Sequence, residues 1–191
     1  VEQFIYISSI AVFEKEIKNN LEINNKVKSF CQSAYGLSKL KTESFLKDFT
    51  SDKEIKFTIV RPPLIIGPNP PGNLKILLKA IKYKLPFPYD LFIKPKKFIA
   101  IDNLSSFIFW TLNNKLAFNK AFNICDDKSY SVFEIVSKIC EIQNIKLRYL
   151  PFNNLLIKII SNSPFLKYFY KKLERELIID DSYTKETLKW N

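Results

Sequence analysis

Tyr35 and Lys39 stand four residues apart in Tyr35-Gly36-Leu37-Ser38-Lys39, near the start of a long amphipathic run. On a helix that spacing puts both side chains on one face, so the ammonium lies beside the phenol. A free tyrosine titrates near ~10, too high for a base at neutral pH, and a neighbouring cation favours the phenolate. An apolar segment, Phe4-Ile5-Tyr6-Ile7, precedes the pair and delivers Ser8 and Ser9 at its end. A serine placed there can align a substrate hydroxyl against the phenol. The set outlines proton transfer of the kind that accompanies hydride transfer to a nicotinamide.

The Tyr/Lys spacing alone is weak, because it recurs at Tyr168 and Lys172 inside a basic aromatic run. No serine-ending strand stands close before that second pair, which reads as a plain helix face. Order sets the first instance apart. An expected buried strand over 2–8 is followed by a polar loop from Phe13 to Gln32, then a helix over 33–49 carrying Leu37, Leu40, Phe45 and Phe49 as apolar positions. A strand at 55–60 closes on Arg61-Pro62-Pro63, and a proline- and glycine-rich loop runs to Gly72.

Downstream, the pattern predicts a helix over Asn73–Lys84 stopped by Pro86 and Pro88, and a strand over Lys97–Ile101. Asp102 is placed to cap a helix running to Asn113. Ala121–Ile124 reads as a strand, and Ser131 with Glu134 forms a capping box for a helix to Gln143. A short strand at 146–150, helices within 153–172 broken near Pro164, and a last helix over Tyr183–Leu188 complete the reading. Alternating strands and helices make the chain α/β.

Three ordered blocks carry a resemblance: Ile7-Ser8-Ser9-Ile10-Ala11-Val12-Phe13, Ser33-Ala34-Tyr35-Gly36-Leu37-Ser38-Lys39 and Val60-Arg61-Pro62-Pro63-Leu64-Ile65-Ile66-Gly67-Pro68. Together they resemble the extended short-chain dehydrogenase/reductase superfamily, in its NAD-dependent nucleotide-sugar epimerase/dehydratase branch. The likeness continues through Gly72-Asn73-Leu74, Phe98 to Leu104, Ala121 to Ile124 and the C-terminal Asp180-Asp181-Ser182 and Leu188-Lys189-Trp190. It implies the C-terminal part of a Rossmann-type parallel-sheet domain with a small α/β substrate-binding lobe. Residues 1–68 would be the second half of the NAD(P)-binding domain, with elements returning near 98–125, and 69–191 mainly the substrate lobe.

The family opens on a strand, a Gly-x-x-Gly-x-x-Gly turn and a helix whose N-terminus receives the pyrophosphate. The three glycines here, Gly36, Gly67 and Gly72, do not form such a turn, and the chain begins at Val1. It is therefore expected to be a fragment lacking the first Rossmann half, and inactive by itself.

By resemblance, Tyr35 is the acid–base group, Lys39 supports it and bonds the nicotinamide ribose, and Ser9 orients the reacting oxygen. Ser8 is expected to be a structural strand-end hydroxyl. Pro62 and Pro63 pack on the nicotinamide or simply stiffen a turn. Asn73 holds the nucleotide diphosphate or caps a helix, and Lys96 stands where relatives place an arginine. A lysine supplies charge there without the bidentate fork.

Ser9-Ile10-Ala11 replaces the Thr-Asp-Glu of the sugar dehydratases, and the chain has no His for the fucose-type epimerase/reductases. What remains is hydride chemistry at one carbon. The expected function is a nucleotide-sugar 4-epimerase using bound NAD, acting on a UDP-(N-acetyl)hexosamine for surface polysaccharide synthesis. A 4-keto reductase uses the same three residues. A hydroxysteroid- or flavonoid-type reductase and a non-catalytic relative are the other readings, and NADP stays open beside NAD. Family habit adds pairing of two chains through the Tyr35 helix.

Composition bounds the rest. At 191 residues and 47% hydrophobic content, the chain has the size of one domain with a real core. Its +11 charge invites a polyanion partner. Only Arg61, Arg148 and Arg175 are arginine, however, and the lysines are spread without an aromatic stacking platform. A preference for nucleotide diphosphates over nucleic acid follows. No apolar stretch reaches the roughly 18 residues of a membrane span. Cys31, Cys125 and Cys140 lack metal spacing and read as free thiols of a cytoplasmic protein.

Overall fold

A computed structural model describes residues 2–51, 53–68, 70, 75, 78–79, 81–84, 92–148 and 175–190. In chain order the elements are β1 (Gln3–Ile7), α1 (Glu14–Lys18), α2 (Ala34–Thr50), β2 (Lys56–Arg61), β3 (Leu64–Ile66) and β4 (Pro95–Ala100). They continue as α3 (Ile101–Thr111), β5 (Lys120–Asn123), β6 (Ser129–Ser131), α4 (Val132–Ile142) and α5 (Ser182–Leu188). The chain divides into two compact units. The first is Val1–Gly67, Lys97–Lys128 and Leu177–Asn191, and the second is Pro68–Lys96 with Ser129–Glu176.

The first unit is built on a parallel sheet in the order β1-β2-β5. Parallel strands are covered on both faces and read as continuous apolar runs. β2 fits that rule, being buried from Phe57 to Arg61. β3 pairs with β4 in parallel, Leu64 opposite Phe98. Val60, Ile99, Leu104, Phe107, Phe122, Ile124, Leu188 and Trp190 form one core, with Phe107 edge-on to Trp190 at 5.0 Å. A second core joins Ile10, Val12, Phe13, Ile23, Cys125 and Ile179 beneath the loop after β1. The second unit has its own cluster of Ile81, Val136 and Cys140, and Ser131 and Glu134 make the expected capping box on α4.

The α/β class and the parallel sheet agree with the expectation from sequence, and several local readings are corrected. Phe45 and Phe49 are 61% and 44% exposed and stack on each other, while Gly36, Glu43, Leu46 and Thr50 face inward. The inward stripe of α2 contains a charge and a glycine, so hydrophobicity alone misplaced the face. β1 is only partly buried, because β2 is its sole strand neighbour among the described residues.

The polar loop contains α1, and bridges join Phe13 to Phe30 and Ile23 to Ile179. β3 lies inside the expected proline-rich loop. Ala100, not Asp102, is the N-cap of α3, and α3 ends at Thr111. The Asp126 carboxylate instead accepts from the Ala100 N–H and from Asn103. Residues 146–148 are not strand. Of the expected Asn73–Lys84 helix, Lys75, Leu78, Lys79, Ile81 and Lys82 are helical and Tyr83 and Lys84 form a turn. Its remaining residues, the helices expected within 153–172 and the Tyr168/Lys172 pair fall outside the described residues. Among the described residues no helix is long and apolar enough to cross a membrane.

Candidate active site

Ser33 opens α2, its Oγ accepting from the Gly36 N–H at 3.3 Å. The loop before it is tied down by Glu14, whose carboxylate accepts from the backbone N–H of Gln32 and Ser33 at 2.6 and 2.8 Å. Lys18 pairs with the same carboxylate at 2.5 Å. The hydrogen bond from Lys18, then those from Gln32 and Ser33, hold Glu14 down at about 2 against an ordinary 4.5. A carboxylate depressed in the folded state adds stability that is complete above its unfolded value and is lost as pH falls through the folded one. The Glu14 contribution should therefore fade between pH 4.5 and about 2. Glu14→Gln is expected to flatten the melting-temperature profile in that window, and an unchanged acid limb would contradict it.

Gly36 is required by close approach. A Cβ there would stand 2.7 Å from the Ala11 carbonyl oxygen and 2.9 Å from Ser33 Oγ. The first turn of α2 thus rests directly on the turn that follows Ser9. Gly36→Ala is expected to cost about 1–3 kcal/mol, the usual range for overpacking, seen as a lower midpoint in urea. A neutral or stabilised variant would show that this contact gives way easily.

Ser9 is half-buried, with extended backbone, and caps a single 3₁₀ turn over Ile10–Val12, its Oγ accepting from the Ala11 N–H at 3.2 Å. As an acceptor in that bond, the hydroxyl retains its own proton to donate. The Ile10 N–H bonds the Pro62 carbonyl at 3.1 Å, so the exits of β1 and β2 are laced together. Pro62 and Pro63 are buried at that exit. Lys39 reaches back from α2 and donates to the Ile7 carbonyl at 2.9 Å. Its Nζ stands 5.0 Å from the centre of the Tyr6 ring and 5.9 Å from that of Tyr35. Tyr35 is 57% exposed. Ser9, Tyr35, Lys39 and Pro62 thus gather around the C-terminal ends of two parallel strands. That is where open α/β sheets place ligands.

A group that sequence reading missed lies directly beneath. Glu43, 1% exposed, takes the Arg61 guanidinium on both oxygens, at 2.9 Å from Nε and 2.5 Å from Nη2. It also accepts from Ser8 Oγ at 2.6 Å. Ser8 is therefore a structural strand-end hydroxyl, as expected. The available signal was the spacing from Lys39 to Glu43, four residues along the stripe of Tyr35.

Lys96 belongs to the second unit, where it is half-buried and donates to the Arg175 carbonyl. Burial lowers it to about 8, opposed by nearby Glu176 and reinforced by Arg175. Asn73 lies outside the described residues. Cys31, Cys125 and Cys140 are free and buried, and burial pushes the Cys125 thiol up to about 12.

Over its full length the chain is 28% identical to a UDP-glucose 4-epimerase of Vibrio cholerae, covering 58% of that protein. Over 77% of its length it is 28% identical to an N-acetyl-α-D-glucosaminyl-diphospho-ditrans,octacis-undecaprenol 4-epimerase of Escherichia coli O157:H7, covering 44% of it. The chain thus spans about half the length of these relatives. Its fold superposes on UDP-glucuronic acid 4-epimerase from Bacillus cereus, solved with NAD, with a TM-score of 0.76 at 17% identity, over the whole chain and 56% of that structure. Residues 1–125, which hold the β1-β2-β5 sheet, α2 and the Ser9, Tyr35 and Lys39 cluster, match the family model itself. The chain belongs to the NAD dependent epimerase/dehydratase family.

Proposed function

We propose that this chain carries the acid–base half of a nucleotide-sugar 4-epimerase that works through NAD. The observation that bears this reading is Lys39, anchored on the Ile7 carbonyl beside the Tyr35 ring at the mouth of the parallel sheet. In this role Tyr35 takes the proton of the sugar 4-hydroxyl and returns it after the ring carbon has been oxidised and reduced. Lys39 keeps positive charge beside the phenol and offers its remaining N–H groups to the ribose of the nicotinamide. Ser9 orients the reacting oxygen by donating a hydrogen bond from its hydroxyl. Pro62 and Pro63 form the buried backing where a nicotinamide ring would lie. NAD, when bound, supplies a reversible hydride acceptor.

The residues present fit the nicotinamide end of that cofactor. Among the described residues Gly36 is packed on Ala11 and Gly67 on Ile101, so neither offers a diphosphate cradle. Asn73 and Lys96 are assigned to the nucleotide diphosphate of the substrate. The UDP-glucose 4-epimerase relative supports a UDP-hexose as that substrate. A UDP-N-acetylhexosamine, surface polysaccharide synthesis and a cytoplasmic site of action are further parts of the same proposal. Pairing through α2 is part of the same reading, supported by exposed Phe45 and Phe49, stacked at 5.6 Å. Sedimentation should show a dimer that Phe45→Glu dissociates, and a wild-type monomer would contradict that arrangement.

The test is to express the protein from its complete coding sequence and incubate it with UDP-glucose and UDP-N-acetylglucosamine. Interconversion of C4 epimers without net cofactor consumption is the expected outcome. Stoichiometric oxidation of reduced nicotinamide with a 4-keto sugar would replace the epimerase reading with a reductase. Failure with both substrates and with 4-keto sugars would overturn the nucleotide-sugar assignment.

A further inference from the structure

We propose that Glu43 is a positioning residue: its buried carboxylate clamps the helix that carries Tyr35 and Lys39 to the strand ends that carry Ser9 and Pro62. The inference rests on the roles given above to Tyr35, Lys39 and Ser9. Three chain segments meet on this one carboxylate. Glu43 comes from α2, Ser8 from the end of β1 and Arg61 from the end of β2. Each partner adjoins a residue of the site. Ser8 precedes Ser9, Arg61 precedes Pro62, and Glu43 follows Lys39 by one helical turn.

Stability alone does not account for the group. Desolvating two charges commonly costs as much as their attraction returns, and apolar replacements of similar volume are often neutral or better. An ion pair with a bidentate fork supplies instead a fixed register, because the planar guanidinium and carboxylate match in only one arrangement. Here that register is between α2 and β2, and Ser8 extends it to β1. A carboxylate one turn beyond Lys39 would also compete for its ammonium. Arg61 occupies both Glu43 oxygens, and Lys39 donates to the Ile7 carbonyl instead. The Arg61 guanidinium is held in turn over the Phe13 ring at 5.0 Å.

The experiment compares wild type, Ser8→Ala and Glu43→Met/Arg61→Met, each made in the protein expressed from its complete coding sequence, with and without Tyr35→Phe. The double replacement keeps apolar volume in place of the pair, and Ser8→Ala leaves the pair intact should the double variant fail to fold. Loss of alignment is expected to lower kcat by about 10²-fold with KM nearly unchanged, the scale of a misplacement of about 1 Å. Ser8→Ala should show a smaller loss of the same kind.

Neither change should lower turnover further in the Tyr35→Phe background, because there is then no base left to misalign. In NMR of ring-labelled tyrosine, the Tyr35 resonance, assigned by its loss in Tyr35→Phe, should move while the other tyrosine signals stay. A folded variant with wild-type kcat and an unmoved Tyr35 signal would overturn the inference, as would losses that simply add to that of Tyr35→Phe. If Tyr35→Phe itself leaves turnover intact, the proposed function fails instead, and the Tyr35 resonance then decides the positioning role by itself.

Discussion

Tyr35→Phe is expected to lower kcat by about 10²–10⁴-fold, the usual contribution of a general acid–base group, while nucleotide-sugar affinity barely changes. The substitution removes one oxygen from a ring that is already largely exposed, so packing has little to lose. Ser33 still caps α2, Gly36 still rests on Ala11, and Lys39 still donates to Ile7. What disappears is the atom proposed to exchange a proton with the sugar hydroxyl. An interaction needed in the transition state and not in the ground state lowers kcat and kcat/KM together. Single-turnover rates with saturating sugar nucleotide check this, and a variant that keeps wild-type turnover would remove Tyr35 from the chemistry.

Arg61→Met leaves the Glu43 carboxylate buried and unpaired, which should destabilise the protein by about 3–5 kcal/mol. For a chain of this size that corresponds to a fall in melting temperature of roughly 6 to 20 °C. Lys138 and Glu141 provide the contrast. Their ion pair is 2.8 Å long, yet both side chains are about two-thirds exposed. Lys138→Met should change stability by only about 0–1 kcal/mol. Burial, not distance, separates the two pairs, since a stranded surface carboxylate is simply hydrated and a stranded Glu43 is not. Thermal melts of both variants check the difference. Equal shifts would mean that water reaches Glu43 once Arg61 is gone.

The same pair shows what can be read from sequence and what cannot. Ser131 and Glu134 are three residues apart and satisfy each other, so the capping box on α4 is visible locally. Tyr35 and Lys39 are legible for the same reason, and the ordered strand, serine, helix and Arg-Pro-Pro blocks made the α/β class and the family visible too. Glu43 takes its partners from 18 and 35 residues away. In a window reading it is one more helix charge, while Phe45 and Phe49 look like the core face. Their exposure reverses that reading, because the inward stripe of α2 is selected by tertiary partners and by a glycine contact.

The cap of α3 illustrates the same limit on a smaller scale. Asp102 has a suitable residue type near the helix start, but Asp126, distant in sequence, reaches the Ala100 N–H. β3 was hidden because Leu64 to Ile66 is a short apolar run between Pro63 and Gly67. Its pairing with β4 depends on residues more than 30 positions away.

The central claim is that Tyr35, Lys39 and Ser9 serve reversible hydride removal at C4 of a nucleotide sugar. It is tested most directly with UDP-N-acetylglucosamine and UDP-glucose deuterated at C4, turned over in ordinary water by the protein expressed from its complete coding sequence. Inverted product that keeps deuterium at C4 is the predicted result, because the hydride returns from the same site it left. Inversion with loss of the label to solvent, or no inversion of either sugar, would contradict the account.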